Sequence, residues 1–153
     1  MTKYVAVIGP AECSTAEREN AFNIGAMLAA RGAALICGGG CGVMEAAAQG
    51  AQSKGGLVIG ILPGNDWRAG NPYLTCAIAT GLGEARNAII ARTADALIAI
   101  GGEYGTLSEI ALAMKMDKKV ILFNSWQLES ARPAGKIPLT ALSPAEAVNL
   151  ALQ

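Results

Sequence analysis

A chain of 153 residues with twelve basic and twelve acidic side chains carries no net field to draw in nucleic acid or a membrane surface. Its composition, 52% hydrophobic and 16% charged, is apolar for a soluble monomer; much of the excess is Ala and Gly, which suits tight helix-on-sheet packing and leaves room for a subunit interface. The absence of histidine excludes His-based triads, His general acids and the commonest zinc sets, leaving carboxylates, Arg, Lys and backbone amides for any chemistry.

The length fits one domain that buries its core without staples. No apolar window is long enough to span a membrane, and Met1 to Tyr4 leads into a strand rather than a signal peptide, so the expected location is cytoplasmic with no membrane contact. Cys13, Cys37, Cys41 and Cys76 form no CxxC pair and read as reduced thiols; neither a metal site nor a cofactor is expected.

Tyr4 to Ile8 is a short apolar run that ends at Gly9-Pro10 and reads as a buried strand. Ser14-x-x-Glu17 is a capping box, and Ala21, Ile24 and Leu28 form one face of a helix closing at Arg31-Gly32. Ala34 to Cys37 is the second strand, and it breaks into Gly38-Gly39-Gly40-Cys41-Gly42 before a helix from Val43 to Lys54. Leu57 to Leu62 is the third strand, Asn65 to Pro72 a polar loop long enough for a rim or lid, and Thr75 to Thr80 a weak strand. Gly83 to Thr93 reads as a helix with Arg86 in its first turn. Ala96 to Ile100 is a strand, Thr106 to Met116 a helix, and Lys119 to Phe123 a further strand. Ser125 to Leu142 is poorly periodic and stays unassigned, and Ser143-Pro144-x-Glu146 starts a last helix that runs towards Leu152.

Strands alternating with helices imply a doubly wound, Rossmann-like parallel sheet with helices on both faces, a single α/β domain. Ligands of such sheets bind beyond the carboxyl ends of the strands, where Gly9-Pro10, Gly38 to Gly42 and Gly101 to Gly105 all fall. An open helix N-terminus there is a seat for phosphate, through its amides and its dipole. The 38–42 turn has neither the dinucleotide spacing nor a Walker Gly-Lys-Ser/Thr, so alone it is a weak signal that a tight turn also explains. Thr106-x-x-Glu109 has two readings that can coexist: a capping box, and a carboxylate held over the pocket. Arg86 reads either as a solvated charge or, following Thr80-Gly-Leu-Gly83 back to the sheet edge, as a fork for phosphate or ribose.

Four segments in order, Gly38 to Glu45, Gly60 to Gly64, Gly83 to Asn87 and Gly101 to Glu109, resemble the lonely-guy (LOG) family over about residues 4 to 123. The resemblance is to nucleoside 5′-monophosphate phosphoribohydrolases that release cytokinin bases and were formerly labelled lysine decarboxylases. It lies nearest a short branch that includes the molybdenum cofactor carrier proteins. The decarboxylase label conflicts with the six lysines, which sit mostly at predicted helix ends and turns rather than in a buried Schiff-base position. The family's Pro-Gly-Gly-x-Gly-Thr-x-x-Glu pattern falls on Gly101 to Glu109, and its Arg-Lys pair on Arg86-Asn87. Gly101 replaces Pro, Glu103 replaces Gly and Asn87 replaces Lys; a carboxylate at 103 repels phosphate unless it turns away or pairs with a cation such as Arg86.

The resemblance implies Arg86 and Glu109 as catalytic residues. The expected ligand contacts are Gly9, Pro10, Gly38, Gly39, Gly40, Gly42, Gly102, Glu103, Tyr104, Gly105 and Thr106. It implies a small nucleotide or sugar-phosphate ligand and a homodimer or larger homo-oligomer. Two functions follow: cleavage of the N-glycosidic bond of a nucleoside 5′-monophosphate to base and ribose 5-phosphate, or non-catalytic carriage of a nucleotide or pterin phosphate such as molybdenum cofactor. Hydrolysis ordinarily takes two carboxylates, and Glu103 is the candidate for the second, a role that the resemblance does not give it.

Overall fold

Seven runs of extended backbone line up side by side in a computed structural model that describes residues 1–133 and 135–153. They are β1 (Tyr4–Ile8), β2 (Ala34–Cys37), β3 (Val58–Leu62), β4 (Cys76–Ala79), β5 (Ala96–Gly101), β6 (Lys119–Ser125) and β7 (Leu139–Thr140). The order across the sheet is β4-β3-β2-β1-β5-β6-β7, and all six pairings are parallel. Parallel strands buried on both faces are apolar at nearly every position, which is why β1, β2 and β5 consist of Val, Ile, Leu and Ala apart from Tyr4, Cys37 and Gly101 at their ends.

The helices are α1 (Thr15–Ala30), α2 (Val43–Gln52), α3 (Asn87–Thr93), α4 (Tyr104–Lys115) and α5 (Pro144–Leu152). Successive side chains of a strand point to opposite faces, and the core divides accordingly. Val5, Val7, Ile98 and Ile100 join the cluster beneath α1, α2 and α5, while Ala6, Ile8, Leu97 and Ala99 join the one beneath α3 and α4. Each fully buried Ile or Leu contributes roughly 1.5–3 kcal/mol. The chain winds outward from β1 to β4, returns to β5 beside β1, and winds out the other way. The order therefore reverses between β1 and β5, and a crevice opens beyond their carboxyl ends.

The expected doubly wound α/β sheet is the observed one. Three local expectations change. The segment 83–93 is not one helix: Gly83–Arg86 is a 3₁₀ turn, tightened by the Ala85 amide bonding to Leu82 O at 3.2 Å, and α3 starts only at Asn87. The helix expected from Thr106 begins at Tyr104, because Gly101 turns into the left-handed region (φ 62) and reverses the chain at once. The stretch 125–142 holds β7, which pairs in register with Ile121 and Leu122; position 134 within it lies outside the described residues. No helix among the described residues is long and apolar enough to cross a membrane.

Candidate functional site

The crevice is built from four chain segments. From the end of β1 come Ile8, Gly9, Pro10 and Ala11; from the turn after β2, Gly38, with Met44 of α2 behind it; from the 3₁₀ turn and α3, Arg86 and Asn87; and from the start of α4, Glu103, Gly105, Thr106 and Glu109. They enclose a cavity of about 160 Å³. Arg86, Asn87 and Gly105 also wall a neighbouring cavity of about 440 Å³, completed by Pro63, Gly83, Glu84, Tyr104 and Ser108. The smaller space is of phosphate-and-sugar size, and the second adds the room that a ring system needs.

The first turn of α4 faces the smaller cavity. Its first internal bond runs from the Leu107 amide to Glu103 O at 3.0 Å, and no side chain caps it. The amides of Tyr104, Gly105 and Thr106 are thus left without an intrahelical acceptor at the positive end of the dipole. The expected Thr106–Glu109 capping box does not form: Thr106 is the third helical residue, and the N-cap position belongs to Glu103. That frees Glu109 from a capping duty, and its side chain is 8% exposed at the cavity wall. Loss of hydration raises its carboxyl pKa to about 7, with the Arg86 charge opposing the rise.

Arg86 is half-buried and committed to the backbone. Its Nη1 donates to Gly38 O at 2.5 Å and to Ile61 O, and its Nε donates to Asn87 Oδ1 at 2.9 Å. Burial lowers its pKa, while Glu109 and Cys37 act in the opposite sense. Arg86 forms no ion pair with Glu103; among the described residues the ion pairs are Arg68–Asp66 and Lys136–Asp117. Glu103 is exposed and lines the cavity without a cation partner among the described residues, so solvent alone screens its charge.

Of the residues expected at the site, Gly9, Pro10, Gly38, Arg86, Glu103, Gly105, Thr106 and Glu109 meet around the smaller cavity. Tyr104 lines the neighbouring one, 81% exposed, its ring centroid 5.8 Å from that of Trp126. Gly39, Gly40, Gly42 and Gly102 are not brought to either cavity. Gly39 O and Gly40 O accept from the amide and side chain of Asn71, at 2.9 and 3.0 Å. Gly42 (φ 66) packs where a Cβ would lie 2.4 Å from Pro10 O, and it lets the Val43 amide bond to Pro10 O at 3.1 Å. Gly102 turns outward to Trp126 and Ser125. The polar loop after β3 is no lid: none of residues 65–72 lines the two cavities, and Asn71 instead secures the glycine turn. Cys37 beside that turn is no nucleophile, since burial pushes its thiol up to about 11. Sequence reasoning did not include Asn87 among the contacts, although an amide next to an arginine can both accept from it and donate onward. Among the described residues, no three His, Cys, Asp or Glu side chains gather as a metal set.

The molybdenum cofactor binding protein of the phototrophic bacterium Rippkaea orientalis superposes with a TM-score of 0.90 at 38% identity, over 98% of this chain and 95% of that one. The molybdenum cofactor carrier protein of Chlamydomonas reinhardtii gives a TM-score of 0.84 at 30% identity, over 97% and 95% of the two chains. An uncharacterized protein of Archaeoglobus fulgidus is 49% identical over 116 residues, 76% of each chain. DNA processing protein A of Helicobacter pylori, at 19% identity and a TM-score of 0.71, shares the fold alone. The model of the SLOG cluster4 family matches residues 2–148. A LOG-like Rossmann sheet, a crevice at its point of reversal and a match across nearly the whole length agree: this chain belongs to the SLOG cluster4 family.

Proposed function

We propose that the chain binds and carries a phosphate-bearing pterin or nucleotide, of the class to which molybdenum cofactor belongs, in the crevice between β1 and β5. The observation that carries this reading is the pairing of the uncapped N-terminus of α4 with a guanidinium fixed on backbone carbonyls, both facing one cavity. The amides of Gly105 and Thr106 would hold the phosphate, the free Nη2 of Arg86 would assist, and the ring system would extend into the neighbouring cavity beside Tyr104. The similarity to two proteins named for molybdenum cofactor supports the same ligand class.

One observation favours a second reading, hydrolysis of a nucleoside 5′-monophosphate. A carboxyl group that titrates near 7 beside an arginine is suited to proton transfer at neutral pH. Against it, a glycosidase ordinarily sets two carboxylates across the scissile bond, and Glu103 is solvated rather than poised. The test is to titrate the protein with AMP and with molybdenum cofactor released from a molybdoenzyme, following tryptophan fluorescence and assaying free adenine. Binding without release of base supports carriage. Adenine release that disappears in Glu109→Gln supports hydrolysis, and failure to bind either compound overturns the ligand class. The apolar composition, with Leu142 and Trp67 exposed at 87% and 57%, also fits a homodimer or larger assembly in the cytoplasm, to be checked by light scattering.

A further inference from the structure

Asn87 follows Arg86 at the start of α3 and is 8% exposed. Its Oδ1 accepts from Arg86 Nε at 2.9 Å, and its Nδ2 donates to Ser108 Oγ at 3.1 Å. Ser108 Oγ donates in turn to Gly105 O at 3.0 Å, in the first turn of α4. The direction of every bond is determined. Arg86 Nε can only donate, so the amide must present its oxygen there; its NH2 group then faces a hydroxyl whose own hydrogen is occupied by a carbonyl. With Nη1 shared between Gly38 O and Ile61 O, three of the five guanidinium N–H groups are committed, and among the described residues Nη2 alone has no acceptor. A lysine or an apolar residue at 87 offers no acceptor to Nε, and the guanidinium would be held through Nη1 alone, on Gly38 O and Ile61 O, about which its plane could tilt.

We infer that Asn87 is a positioning residue. Together with Ser108 it fixes the rotation of Arg86 and ties it to the first turn of α4, so that the free Nη2 edge and the open amides of that turn keep one spacing. This assignment rests on the proposed phosphate-binding reading for its consequence, though not for its geometry. Asn87 lines both cavities, but its side-chain oxygen is taken by Arg86 Nε, and the role assigned to it runs through Arg86.

Two measurements test it separately. In nitrogen-resolved NMR of the ligand-free protein, the Arg86 Nε–H signal should be sharp and slow to exchange, and Asn87→Ala should lose that protection. An unprotected Nε–H in the wild type overturns the inference whatever the ligand proves to be. Binding of AMP by calorimetry then reads the consequence: Asn87→Ala should weaken it about tenfold, as expected for a hydrogen bond to a charged group, and the same substitution in an Arg86→Lys background should have almost no effect. Equal losses in both backgrounds would show a role independent of Arg86 and overturn it. If Asn87→Ala folds poorly, the exposed Ser108→Ala breaks the chain one bond further out and should give a smaller loss that also vanishes with Arg86→Lys. If the wild type binds no AMP, the ligand reading fails and the NMR arm alone decides the positioning.

Discussion

Glu109 holds its proton up to about pH 7 in the folded chain, against 4.5 for an ordinary glutamate, because burial outweighs the attraction of Arg86. The unfolded chain releases this proton first as pH rises. Between 4.5 and 7 the folded state therefore holds more protons, stability falls across that window, and the full penalty persists above it. Glu109→Gln should thus raise stability at pH 8 by on the order of 3 kcal/mol and leave it nearly unchanged at pH 4.5, in urea unfolding at the two pH values. Gly38 makes a second residue-scale prediction. A Cβ there would lie 2.7 Å from Met44 Sδ and 2.8 Å from Arg86 Nη1, and Nη1 is itself bonded to Gly38 O. The methionine can swing aside, but the guanidinium can yield only by leaving its carbonyls, so Gly38→Ala should weaken AMP binding roughly tenfold and also lower Tm, by calorimetry beside a thermal melt. Arg86 and Glu109 were legible in the sequence as a pair because a family pattern surrounds them. Asn87 was legible only as a departure from that pattern, since its role depends on two bonds to residues one and twenty-one positions away.

At the scale of elements, the strands could be read because a buried parallel strand has to be an apolar run, and the Ser14 cap because its box closes within four residues. Ser14 Oγ accepts from the Glu17 amide at 3.1 Å, and Glu17 Oε2 accepts from the Ser14 amide at 2.8 Å. Ser14→Ala should destabilise the protein by about 1 kcal/mol in denaturant titration. The same motif misled at Thr106, because nothing local distinguishes a capping threonine from one already inside a helix; the two glycines that end β5 decide the matter. The loop after β3, long enough for a rim or lid, does not read from its own residues as an anchored segment, because its anchor, Asn71, bonds to a turn thirty-one residues earlier. The glycine content found its use in α1 against α2, rather than in the expected helix-on-sheet contacts alone. A Cβ on Gly25 would stand 2.0 Å from Ala47 O, and one on Gly50 1.9 Å from Phe22 O. The obstacle is backbone in both cases, so Gly25→Ala and Gly50→Ala should each cost about 3 kcal/mol, at the upper end for overpacking, as a lowered urea midpoint.

For the whole molecule, the crevice draws its walls from residues 8 to 109, so a ligand there clamps both halves of the sheet together. If AMP or molybdenum cofactor binds as proposed, a hundredfold excess over Kd should raise Tm by roughly 5–10 °C, and Arg86→Ala should abolish the shift, as read by differential scanning fluorimetry. The pairing of β1 with β5 also has a consequence in time. Val5 reaches Ala96 only after every residue between them has been synthesised, a wait of roughly 5–20 s at ordinary elongation rates. Through that interval the first strand has β2 on one side and a bare edge on the other, the kind of surface that invites pairing with a stranger. A nascent chain thus passes through its most adhesive stage before it owns a crevice. Whatever ligand this protein holds is available to rescue the finished molecule and can do nothing for the growing one.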